Sequence, residues 1–106
     1  ANSARMLDYA GYQDTTLRRY ARMTLRAAGR ALHAPPGLDE RALTAWLDSI
    51  GRARGVEASC AEILNEIDRT PSGGRRALER LFTLAGNMHQ WKEEILHDAG
   101  TRGQTR

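Results

Sequence analysis

The sequence holds one cysteine, one valine, one phenylalanine and one lysine, and most of these scarcities exclude something. Cys60 has no second thiol to pair with, so no internal disulfide staples the fold. Flanked by Ser59, Ala61 and Ile63, it reads as a small buried hydrophobe in a helix, and its setting as a reducing cytoplasm. A single Val and no alternating run of β-branched residues remove the signature of strands. No apolar stretch approaches the roughly 18 residues that a membrane span needs. The first fifteen residues also lack the apolar centre of a signal peptide. A soluble, cytoplasmic chain is the expectation. It does not begin with Met, and Ala1-Asn2-Ser3 reads as a remnant ahead of a domain excised from a larger protein.

What is abundant is Ala, Leu, Arg and Glu, all good helix formers. At 106 residues the chain fits one helical domain, with an ordered core expected over about 4–99. Fifteen of its sixteen basic residues are Arg, a skew that a GC-rich coding bias would also produce. The placement of charge is more informative. Residues 1–33 carry six Arg against Asp8 and Asp14, whereas the remaining ten basic and eleven acidic residues nearly cancel.

Punctuation divides the chain. A short lead-in helix is expected over 4–12, broken at Gly11, with Met6, Leu7, Tyr9 and Tyr12 as a packing flap. The first long helix should start at Asp14 as N-cap and run to about His33, burying Leu17, Ala21, Leu25, Ala28 and Leu32. Ala34-Pro35-Pro36-Gly37 forces a turn. A second helix is predicted from Asp39 to Arg54, closed by Gly55, with Leu43, Trp46, Leu47 and Ile50 inward. Ser59 and Glu62 have capping-box spacing and open a third, short helix ending near Asp68. After the loop Thr70–Gly74 a last helix should extend from about Arg75 to Ala99, capped by Gly100, with a disordered tail from Thr101. Its stripe of Leu78, Leu81, Ala85, Met88, Trp91, Ile95 and Ala99 is broadened by Phe82 and Leu84. The predicted architecture is all-α: an irregular antiparallel four-helix bundle with a short extra N-terminal helix.

Four constellations are candidates for function. Arg18, Arg22, Arg26 and Arg30 recur every four residues with Arg19 beside them, a slowly turning basic ridge with no acidic residue between them. Such a ridge docks an acidic protein surface or phosphates, or is a solvated face whose Arg stems shield the apolar stripe. Residues 42–67 carry the Gly-turn spacing of a helix-turn-helix. Its second helix would present Glu57, Glu62 and Glu66 to the phosphates, which opposes DNA. His89, Glu93 and His97 are spaced for a metal, but three residues with no further ligand leave the coordination shell incomplete, and no metal is expected. Ser72, Gly73, Gly74, Arg75 and Arg76 precede a helix N-terminus and offer an anion site, without P-loop spacing.

No pair of carboxylates sits in an apolar setting, and Cys60 has no activating neighbour. The expected function is a non-catalytic protein-interaction or adaptor module with no cofactor, docking an acidic partner through Arg18, Arg19, Arg22, Arg26 and Arg30. The alternative is nucleic-acid binding through that ridge or the helix-turn-helix. Self-association is a further expectation for a small irregular bundle.

Overall fold

The computed structural model describes the backbone of residues 2–104 and the side chains of residues 10–97. Four helices account for it: α1 (Asn2–Ala31), α2 (Glu40–Ala53), α3 (Cys60–Arg69) and α4 (Arg75–Gln104). The all-helical expectation holds, with one correction at each end. The separate lead-in helix does not exist, because α1 runs unbroken through Gly11 and Asp14. A glycine inside a helix costs only about 1 kcal/mol relative to alanine, too little to stop one with good flanks. Asp14 is no cap: its carboxylate accepts from the Arg18 Nε one turn later, at 2.7 Å. Likewise α4 passes through Gly100 to Gln104, so the backbone continues where a cap and a tail are predicted. The last two residues, and the side chains of Met6, Leu7, Tyr9 and Ala99, lie outside the described residues.

The middle of the chain follows its punctuation closely. Asp39 caps α2 by accepting from the Ala42 amide at 2.8 Å, and Ser59 caps α3 by accepting from that of Glu62. Helices α1 and α2 end in the same double-bonded turn. The Ala34 amide reaches the Gly29 carbonyl and that of His33 the Arg30 carbonyl; at the end of α2, Val56 reaches Gly51 and Gly55 reaches Arg52. This closure needs a left-handed residue, supplied by Gly55 (φ 79°) in one case and by His33 (φ 59°) in the other.

The core is one cluster centred on Trp91, Leu25, Leu47, Ile67, Leu81, Met88 and Ile95, all fully enclosed. Helices α2 and α3 are antiparallel, since Asp48 meets Cys60 while Glu40 and Asp68 share one Arg22 guanidinium at the other end. The antiparallel expectation fails for α1 and α4, the most extensively packed pair, which run in the same direction. Asp14 and Thr15 lie beside Leu78, Leu17 beside Phe82 and Ala85, and Tyr20 reaches His89. The α2–α3 hairpin is the reason. Its second leg carries the chain back to the level of Arg18, so α4 starts beside the lower half of α1 and climbs with it. Among the described residues no helix is long and apolar enough to cross a membrane.

Candidate interaction surface

The basic ridge of α1 is split by the fold. Arg18 turns inward: besides Asp14 it donates through Nη1 and Nη2 to the carbonyls of Ile67 and Thr70, both at 2.8 Å. Both carbonyls lie at the C-terminal end of α3, where that of Ile67 also accepts from the Thr70 amide at 3.1 Å and a cation offsets the helix dipole. Arg22 binds Glu40 at the start of α2 and Asp68 near the end of α3, each at 2.9 Å. Burial opposes its charge, but the hydrogen bonds it donates to those two carboxylates outweigh it and hold the guanidinium above its ordinary range. Two of the five predicted contact residues are thus struts that tie α1 to α2 and α3.

Arg19, Arg26 and Arg30 are exposed and make no ion pair among the described residues. Arg30 lies in the last turn of α1, where its charge suits the helix terminus. The ridge narrows to these three.

Arg26 and Arg30 border an open cleft with Gly29, Pro35, Leu38 and Leu43. On the α4 side of α1 lies a shallow apolar groove of about 430 Å³, lined by Leu17 and Tyr20 of α1 and by Phe82, Ala85, Gly86 and His89 of α4. The Tyr20 hydroxyl and His89 Nδ1 join across it at 3.1 Å. Tyr12, Met23 and Phe82 are 69%, 58% and 65% exposed, the largest departures from the rule that such side chains go inside. Phe82 therefore corrects the broadened α4 stripe. It follows Leu81 by one residue, about 100° around the helix, and so faces outward. Leu84 does join the core. Sequence reasoning missed Tyr20, Met23 and Phe82, although a signal was there: Tyr20 and Met23 fall off the α1 stripe of Leu17, Ala21 and Leu25. Of the two tryptophans, Trp91 is enclosed and Trp46 packs half-buried against the core.

The remaining candidates are placed as follows. The α2–α3 unit is clamped from inside by Asp48, whose buried carboxylate accepts from the Ser59 hydroxyl (2.6 Å), the Cys60 amide (2.9 Å) and the Ala61 amide (3.3 Å). Burial, and then Asp48, pushes the Cys60 thiol far above its ordinary value, which removes it as a nucleophile. Glu57 and Glu62 are exposed on the outer side of this unit, as the sequence implies, whereas Glu66 is half-buried and bound to Arg69 and Arg80. Ser72, Gly73 and Gly74 border a cleft of about 290 Å³ with Ala10, Gly11, Asp14 and Leu78. Arg75 and Arg76 begin α4 there, exposed, with Arg75 turned to Glu79 at 3.5 Å. An anion in that cleft would face the Asp14 carboxylate. No group of three His, Cys, Asp or Glu residues among the described residues is arranged to hold a metal ion.

Glu66 links α3 to α4, accepting from Arg69 at 2.6 Å and Arg80 at 2.8 Å. Those hydrogen bonds, Arg80's first, hold its carboxyl below the ordinary value of 4.5. A depressed folded pKa contributes stability above the unfolded carboxyl range and loses it as pH falls through the lower folded value. The thermal midpoint should therefore drop on acidification below about pH 4.5, and Glu66→Gln should flatten that slope. Parallel pH curves for the two proteins would remove the link from the account.

A helical domain with an exposed, two-helix, partly apolar face is the class that this geometry defines. No protein-family model, no curated protein and no solved structure matches the chain.

Proposed function

We propose that the chain is a non-catalytic protein-interaction module that docks an acidic partner on the α1–α4 face. The observation that supports this most is the coincidence of two things that a solvated helix face does not need. Three arginines without ion pairs among the described residues lie along the exposed side of α1, and a groove exposing Phe82 and Tyr20 runs between that helix and α4. An apolar strip supplies affinity, while the flanking charges supply orientation and association rate. Arg18 and Arg22 keep the face in shape from behind; Arg19, Arg26 and Arg30 make the contacts.

Nucleic acid is the competing occupant, and salt separates the two. Three arginines neutralising three phosphates would lose about 40-fold in affinity between about 50 and 200 mM salt. A partner held by an apolar centre should lose less than about tenfold over the same range. The probes are a labelled acidic amphipathic helical peptide and a labelled DNA duplex, followed by fluorescence anisotropy. Peptide binding that weakens at least tenfold with Arg26→Glu and with Phe82→Ala is the expected result. A peptide that does not bind, or binds regardless of both changes, overturns the reading. Binding of the duplex alone, with the full salt slope, transfers the face to nucleic acid.

A further inference from the structure

We infer that the occupant of the α1–α4 face is a second copy of this chain, seated about a two-fold axis parallel to the two helices. The inference rests on the docking reading above and names its partner. It begins with spacing. On α1 the exposed residues Tyr12, Thr16, Arg19, Met23, Arg26 and Arg30 follow one another at steps of four and three. On α4 the exposed residues Glu79, Phe82, Gly86, His89 and Glu93 do the same. A 3–4 alternation keeps side chains on a single seam and is the spacing by which one helix lies along another.

The parallel course of α1 and α4 then fixes the register. A two-fold axis running between them places α1 of one copy over α4 of the other without changing height along the bundle. Heights follow from the rise of about 1.5 Å per residue, counted from the Tyr20–His89 link. Phe82 lies about 10 Å below that link and Tyr12 about 12 Å below it, so the two most exposed aromatic rings among the described residues meet across the axis. Glu93 lies about 6 Å above it and Arg26 about 9 Å above it, so each arginine finds a carboxylate with no ion pair of its own among the described residues. Between these pairs Met23 faces the stretch from Gly86 to Glu93. A Cβ added at Gly86 would meet nothing within 4 Å, so the second helix has room to approach there. The α1 seam is basic, and the α4 seam offers it the Glu93 carboxylate at the height of Arg26. The face therefore complements itself in charge as well as in apolar content, which an isologous interface requires.

The seam from Tyr12 to Arg30 is about 27 Å long and two helices are about 20 Å wide, giving about 550 Å² per copy. That falls below the ~800 Å² of a standard interface and sets the expected dissociation constant in the range of tens of micromolar. Sedimentation velocity on the full 106-residue chain, from about 5 to 500 µM, should show a reversible monomer–dimer equilibrium. Arg26→Glu alone and Glu93→Arg alone should each weaken it about tenfold or more. The double swap should restore it to within about threefold, which also shows that the single variants did not act by unfolding. A chain that stays monomeric throughout, or a double swap that rescues nothing, overturns the inference. In either case, retained peptide binding that depends on Arg26 leaves the docking reading standing; loss of that binding as well would fell both.

Discussion

Trp91→Ala is expected to remove about 3–5 kcal/mol of stability, while Trp91→Phe at the same position should change it by less than about 1 kcal/mol. The contrast follows from the two halves of the side chain. The ring system is fully enclosed at the centre of the cluster that all four helices share, so truncation to a methyl leaves a cavity that the bundle cannot close by small shifts. Yet its Nε1–H has no hydrogen-bond partner among the described residues. A buried unpaired donor costs about 1–3 kcal/mol, so the indole both fills the core and burdens it. Phenylalanine keeps most of the volume and removes the donor, and the two changes offset. Urea unfolding followed by circular dichroism measures both variants without relying on the lost fluorophore. If Trp91→Phe were as damaging as Trp91→Ala, the unpaired donor would carry no weight here. Against a total stability of about 5–15 kcal/mol for a domain of this size, the alanine variant sits near the edge of folding.

Asp48→Ala should cost about 2–4 kcal/mol, more than the roughly 1 kcal/mol expected for the cap variant Ser59→Ala. Ser59 satisfies one amide at the exposed edge of α3. Asp48 reaches from α2 to hold two more, one of them buried, along with the Ser59 hydroxyl. Its negative charge also lies at the N-terminal end of the α3 dipole, where a carboxylate is favoured. Alanine would leave the Cys60 amide enclosed with no acceptor and release the hairpin at its turn. Asp48→Asn separates the contributions: it keeps one acceptor oxygen, loses the charge and points an amide NH2, itself a donor, toward donors. Its denaturation midpoint should fall between wild type and Asp48→Ala, with an unchanged denaturant slope. An asparagine variant equal to wild type would assign the whole effect to geometry.

These two residues also show how unevenly the structure can be read from the sequence. The limits of α2 and the start of α3 are legible because local chemistry sets them: Asp39 and Ser59 accept amides three residues on, and Gly55 takes the left-handed turn. The same local rules mislead at Gly11, Asp14 and Gly100. There the punctuation lies inside helices whose packing and ion pairing outweigh a cost of about 1 kcal/mol. The Arg spacing of α1 is visible in the sequence, but its division into struts and free cations is not. That division depends on Glu40, Asp68 and the carbonyls of Ile67 and Thr70, residues 18 to 52 positions away. Asp48 reads as one more surface acid of an amphipathic helix until α3 is laid across it. Phe82, beside Leu81, reads as core until the angle between adjacent residues is counted.

The same-direction pairing of α1 and α4 bears on how the chain assembles as it is made. Tyr20 and His89 are 69 positions apart, so the largest helix–helix contact closes across most of the sequence. Contacts of that kind are slow to form, because the intervening loop must be ordered first. The α2–α3 hairpin, in contrast, closes over the 12 positions from Asp48 to Cys60. During synthesis α1 emerges first and must wait, its apolar stripe of Leu17, Ala21 and Leu25 uncovered, until the last helix leaves the ribosome. The early, locally closed hairpin gives it something to lean on in the interval, held through Arg18 and Arg22. Those two arginines would then serve the nascent chain before they serve the finished one.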